Sequence, residues 1–210
     1  MTGQDDAIRI AQLLTSRLCH DLVGSVGAVS TGLELLGEGA DELDGEALAL
    51  ASKSAGQMGR KVTFFRIAFG AGFTGRGGPL AEALSLAEGF LADRTVRLDA
   101  AALAGKEGAG LSEGAAKILL NLILIAADSL PRGGIITVDG DQGTLKVAAT
   151  GERAALKGET QTGLATDAVV AGLDARSVHG FFTRNLVEAA GGQLDIEAGE
   201  GVIRLQAVGI

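Results

Sequence analysis

Ile8 to Leu36 reads IRIAQLLTSRLCHDLVGSVGAVSTGLELL. An α-helix advances about 100° per residue. With His20 at zero on that wheel, Ala7, Ala11, Leu14, Leu18, Leu22, Ser25, Val29, Leu33 and Leu36 fall within roughly 60° of the opposite side. This is a continuous packing stripe, and it predicts one long helix over 4–36. His20 points away from the stripe, into solvent, with Asp21 beside it. Arg9, Leu13, Arg17, Val23, Gly24, Gly27 and Thr31 surround it on the open face. An exposed imidazole next to an acid, ringed by small and apolar residues, suggests a phosphorylatable or nucleophilic histidine within a docking surface.

Working outward, Gly37-Glu38-Gly39 reads as a turn. Residues 42–69 read as a second helix, with Leu43, Ala47, Leu50, Ala51, Ser54, Met58, Val62, Phe65 and Phe69 on one side. Two long helices with a short connection make an antiparallel hairpin. A hairpin has little to bury its stripe against, so two of them are expected to pair as a four-helix bundle in a homodimer.

The glycine-rich run from Gly70 to Gly78 is a linker in composition. It divides the chain into a hairpin domain, 1–76, and a second domain, 77–210. In the second, Pro79 opens a helix reaching Ala92, and Thr95 to Ala101 alternates as a strand. Ser112 caps an apolar helix that ends near Leu130-Pro131. Gly134 to Asp139 and Thr144 to Ala149 form a hairpin around Gly140-Asp141-Gln142-Gly143. Residues 166–172 are expected to form a short helix. Val178 to Ala190 is a helix stopped by Gly191-Gly192, and Gln193 to Ala198 with Val202 to Ala207 make the last hairpin. The expected fold class is α+β: a helical hairpin plus an α/β sandwich with helices on one face of a mixed sheet.

Composition bounds the function. The chain has 210 residues, 47% of them apolar, and a net charge of −8. That charge argues against a general nucleic-acid binder, which needs basic patches. No apolar run reaches the length of a membrane span, and residues 1–20 show no signal-peptide architecture. With a single cysteine, Cys19, no internal disulfide is possible and a reducing cytoplasm is expected. Two histidines 159 positions apart have no zinc-type spacing, so no metal site is expected.

Three stretches resemble a two-component histidine kinase. His20-Asp21 resembles the phospho-acceptor histidine and its acid. ILLNLILIAADSLPRGGIITV, Ile118 to Val138, resembles the asparagine-motif helix, turn and strand of the Bergerat-type ATPase domain. NLVEAAGGQLDIEA, Asn185 to Ala198, resembles its final helix and strand. The nucleotide elements depart from that pattern. The Mg²⁺-holding asparagine would fall four residues after Asn121, where Ile125 stands; an alkyl chain cannot ligate a hard cation. The adenine-reading Asp-x-Gly-x-Gly motif becomes Ala149-Thr150-Gly151-Glu152-Arg153, without the aspartate. The phosphate-cradling Gly-x-Gly would align with Ser177-Val178-His179 and has neither glycine.

Loss of the ATP elements with retention of the acceptor resembles the ChpT family of histidine phosphotransferases. LCHDLVGSVGAVSTGLELL, Leu18 to Leu36, is the segment most similar to that family. The resemblance implies a degenerate ATPase domain, no ATP site, no bound metal and no tightly bound cofactor. It implies a cytoplasmic homodimer that takes a phosphoryl group from the receiver of a CckA-like hybrid kinase. The group would pass to CtrA-like and CpdR-like response-regulator receivers of a cell-cycle relay, with no nucleic-acid or membrane partner. His20 would be the phospho-acceptor, Asp21 an orienting or assisting acid, and Arg17 a possible charge offset. Leu13, Val23, Gly24 and Gly27 would dock the receiver, which would bring its own Mg²⁺. His179 is read as structural or as part of a receiver-contacting surface. Two rival readings stay open at this point: an active ATP-dependent histidine kinase, and a non-catalytic dimeric adaptor that sequesters receivers.

Overall fold

The computed structural model describes residues 3–37, 44–70, 80–103 and 114–210. The turn at residues 38–39, the linker beyond Gly70 with the 76/77 boundary, Pro79 and the Ser112 cap lie outside the described residues.

Helix α1 spans Gly3–Gly37 and α2 spans Asp44–Ala68. They pack as a hairpin in which Ser25 and Gly32 are buried and Leu18, Leu22 and Val29 half-buried. The approach is close: a Cβ on Gly32 would lie 2.9 Å from the Ala47 carbonyl oxygen and from Ala51 Cβ. Only part of each expected stripe finds cover within the chain. Leu33 is 56% exposed on α1, and Leu50 and Val62 are exposed on α2. Ala7 and Ala11 are exposed as well. One helix can shield one side of its neighbour, and a stripe about 120° wide is broader than that.

The C-terminal end of α2 enters a second core. Phe64 and Phe65 are 0% and 2% exposed. Phe64 stacks on Phe90 at 4.2 Å between centroids, and Phe65 stacks on Phe69 at 5.4 Å. Phe90 belongs to α3, Leu80–Leu91, which leads into β1, Val96–Asp99. Helix α4, Ala115–Asp128, is buried without a break from Ile118 to Ala127, with the Asn121 amide the one polar side chain in that run. Ile118, Leu119, Leu120, Leu122, Ile123, Leu124 and Ile125 are each no more than 1% exposed. Each such side chain contributes roughly 1.5–3 kcal/mol of transfer free energy, so α4 is the spine of this core.

Strands β2, Gly134–Asp141, and β3, Thr144–Thr150, form a hairpin longer than expected. Its loop is only Gln142-Gly143, both with positive φ (46° and 75°), as a two-residue turn of primed type requires. Helix α6, Val178–Ala189, is followed by β4, Gln193–Gly199, and β5, Val202–Val208. The sheet runs β1-β2-β3-β5-β4, parallel between β1 and β2 and antiparallel elsewhere. Alternate residues of β2, β3 and β5 are buried against the helices, which gives the mixed α+β fold expected.

One local expectation is corrected. Residues 166–172 hold only a three-residue 3₁₀ turn, Val170–Gly172. The helix lies earlier, as α5, Gly158–Leu164. It exists because it can touch α6 backbone to backbone. A Cβ on Gly163 would sit 1.9 Å from the Ser177 carbonyl oxygen, and one on Gly180 2.7 Å from that of Thr160. Those glycines are needed for close approach, a signal that helix periodicity does not carry.

Candidate functional site

His20 projects from the middle of α1 with its side chain 81% exposed. Its Nδ1 lies 3.4 Å from Asp21 Oδ1, a long contact that faces one ring nitrogen toward the carboxylate. The other oxygen of Asp21 lies 3.5 Å from Arg17 Nε, an ion-pair distance one helical turn away. Asp21 is held from the far side too: Lys61 of α2 donates to the Asp21 backbone carbonyl at 3.2 Å and to Ser25 Oγ at 3.1 Å.

Arg17 was expected on the open face, and the structure corrects this. Its side chain is only 13% exposed, because Nη2 donates to Asp128 Oδ2 at 2.6 Å. Asp128 is the last residue of α4, and its other oxygen accepts from Arg94 Nη1 at 3.3 Å. Burial alone would raise the Asp128 carboxyl, but the Arg17 and Arg94 guanidiniums, with Lys157 beyond them, hold it below its ordinary value. Arg9, also expected to be open, donates to the backbone carbonyls of Val170 and Leu173. Leu13 is half-buried. The α/β unit therefore lies along the N-terminal half of the face that the wheel left open. Val23, Gly24 and Gly27, toward the other end, remain exposed, and a Cβ on either glycine would meet nothing within 4 Å.

Between α1 and the α/β unit lies a cleft of about 550 Å³. His20, Asp21, Arg17 and Asp128 line one part of it, and Lys157, Glu159 and Arg176 another. Arg176 pairs with Glu159 at 3.3 Å. The basic and acidic residues of the α/β unit at this cleft were missed in the sequence. Asp128 lies 111 positions from Arg17, and nothing local signals that the two meet.

His179 is fully buried. Its ring contacts Asn121 Oδ1 through Nε2 at 3.1 Å, while the Asn121 amide donates to the Ala68 and Lys117 carbonyls at 2.9 Å each. An Nε2–H tautomer satisfies that contact. Burial, reinforced by the nearby Arg17 charge, pushes the imidazole down to about 3. His179 thus serves as a neutral structural link among α2, α4 and α6, away from any docking surface. At the positions aligned with the kinase nucleotide motifs, Ile125 and Ala149 are core residues. Ser177 binds Asp174 through its hydroxyl ahead of α6. Among the described residues, no group of three or more His, Cys, Asp or Glu could hold a metal ion. No helix there is long and apolar enough to cross a membrane.

The family model for the histidine phosphotransferase C-terminal domain matches residues 80–202. The protein phosphotransferase ChpT of Brucella abortus (strain 2308) is 34% identical over 203 residues, covering 91% of each chain. A bacterial phosphotransferase solved at 1.7 Å superposes with a TM-score of 0.80 at 29% identity, over 99% of this chain and 97% of that one.

Proposed function

Because this chain belongs to the ChpT family of histidine phosphotransferases, we propose that it relays phosphoryl groups between receiver-domain aspartates through His20, without using ATP. The observation that carries the reading is the pairing of an 81% exposed imidazole with Asp21 at 3.4 Å. With Nδ1 turned to the carboxylate as the N–H, Nε2 keeps its lone pair free toward solvent. A docked receiver presents its aspartyl phosphate in line with Nε2. The N–P bond forms as the P–O bond breaks, and the electron pair leaves with the receiver carboxylate. Onward transfer is the reverse at a second receiver. Such transfers depend on positioning and charge balance more than on covalent chemistry. The Mg²⁺ that neutralises the phosphoryl oxygens is expected from the receiver.

Docking is assigned to Val23, Gly24 and Gly27 beside His20, where the helix surface is flat and uncovered. The absence of an ATP site is supported by Ile125 and Ala149 standing in the core and by α5 and α6 meeting backbone to backbone beside Ser177. A homodimer is supported by apolar residues left open at heptad spacing: Val26 and Leu33 on α1, Leu48 and Val62 on α2. The partners would be a CckA-like donor receiver and CtrA-like or CpdR-like acceptors in the cytoplasm.

The test is transfer of radiolabelled phosphate from a phosphorylated hybrid-kinase receiver, with His20→Gln and an ATP-only reaction alongside. Acid-labile, alkali-stable label on the unmodified chain alone is the expected result. Label from ATP alone would make the chain a kinase. No label despite receiver binding would leave an adaptor.

A further inference from the structure

Five charged or chargeable groups of alternating character run from the surface into the α/β unit: His20, Asp21, Arg17, Asp128 and Arg94. The contact of Arg17 with Asp128, at 2.6 Å, is far closer than its contact with Asp21, at 3.5 Å. Both Asp128 oxygens are taken by arginines. Of the two cations that the α/β unit brings to the cleft, Lys157 and Arg176, Arg176 is likewise matched by Glu159, and Lys157 acts on Asp128 through its charge. The arginines beside His20 are thus balanced before any phosphoryl group arrives.

A phosphoryl group on His20 brings a charge of about −2. Arg17 is three positions away on the same helix, a side-chain separation of about 5–6 Å. Left unpaired, its guanidinium would hold that group. Paired with Asp128, it offers little net charge.

We propose that Asp128 is a positioning residue for the transfer: from the α/β unit it fixes Arg17 and offsets its charge, so that the phosphoryl group on His20 is held loosely enough to leave for a second receiver. This rests on the reading of His20 as phospho-acceptor. It gives the α/β unit a part in the chemistry without contact with the reacting atoms. The N–P bond that forms and the P–O bond that breaks are unchanged; the equilibrium between them is what Asp128 adjusts.

The experiment reads the equilibrium ratio of label on this chain to label on a receiver domain charged with acetyl phosphate. Asp128→Asn keeps the shape and removes the charge. It should raise the ratio toward the histidine about tenfold, within what Coulomb's law allows at such separations near a surface. Arg17→Gln should lower it, and Arg17→Lys should restore it toward the unmodified value. Arg9→Met loosens the same face of α1 from Val170 and Leu173 without touching the charge chain, and should leave the ratio unchanged. Shifts of the same direction in Asp128→Asn and Arg17→Gln, or an equal shift in Arg9→Met, would reduce Asp128 to a clamp between domains and overturn the proposal. If circular dichroism shows that Asp128→Asn does not fold, the Arg17 pair decides: equal ratios with Gln and Lys overturn it. An unmodified chain that takes no label at all defeats the His20 reading itself, a distinct outcome.

Discussion

Replacing Gly24 and Gly27 by alanine should make this protein more stable and less active at once. Both glycines lie inside α1, where glycine costs about 1 kcal/mol relative to alanine. Part of that cost is the extra freedom of the unfolded chain. In the folded chain an added Cβ at either position meets nothing within 4 Å, so no steric penalty offsets the gain. The double variant should therefore gain about 2 kcal/mol, which for a chain of this size corresponds to a melting rise of about 4–8 °C. Gly32→Ala is the internal control. Its Cβ would press on the Ala47 carbonyl and on Ala51 at 2.9 Å, so α1 and α2 must separate. Overpacking of this kind costs about 1–3 kcal/mol, and the melting temperature should fall. Phosphotransfer from a labelled receiver is the second readout. If a partner packs against Gly24 and Gly27 beside His20, two methyl groups on that surface should slow transfer by tenfold or more. A double variant that melts no higher than the unmodified chain refutes the helix-propensity reasoning. One that melts higher but transfers at the original rate refutes docking on this face.

Three further outcomes are expected. His20→Gln should abolish phosphoryl acceptance and leave the melting temperature within about 1 °C, since the side chain is 81% exposed. Leu33→Glu with Leu48→Glu should shift sedimentation from dimer to monomer while circular dichroism stays helical; an unchanged dimer would place the contact elsewhere. His179 makes stability depend on pH. Its folded pKa of about 3 lies below the ordinary 6.5, so between those values the unfolded chain binds the extra proton. Stability is then complete above about pH 6.5 and falls by up to about 1.4 kcal/mol per pH unit as the solution is acidified toward pH 4. Urea unfolding at pH 6.5 and pH 5 should show that slope, and His179→Gln, whose amide can still donate to Asn121, should flatten it. An equal slope in both chains would assign the effect to other groups.

The long α1 was legible because helix periodicity is a local property. Where apolar residues recur along one chain segment, the buried side of that segment follows from geometry alone, and so does the exposure of His20. The missing kinase asparagine at Ile125 was legible for a similar reason: a residue's chemistry excludes a ligand role wherever the residue stands. What surrounds a helix is another matter. A wheel describes one cylinder, and it left Arg9, Leu13 and Arg17 open because it has no second body in it. The α/β unit that covers them comes from later in the chain, and Arg17 meets Asp128 across 111 positions. Helix α5 was hidden likewise, since its place depends on Gly163 and Gly180 allowing two backbones to touch. The sequence by itself determined the long helices, the mixed sheet and the exposed histidine, which follow from local pattern. Only the tertiary structure decided which charges of the α/β unit stand near that histidine, because ion pairs form between surfaces that packing, not sequence proximity, brings together.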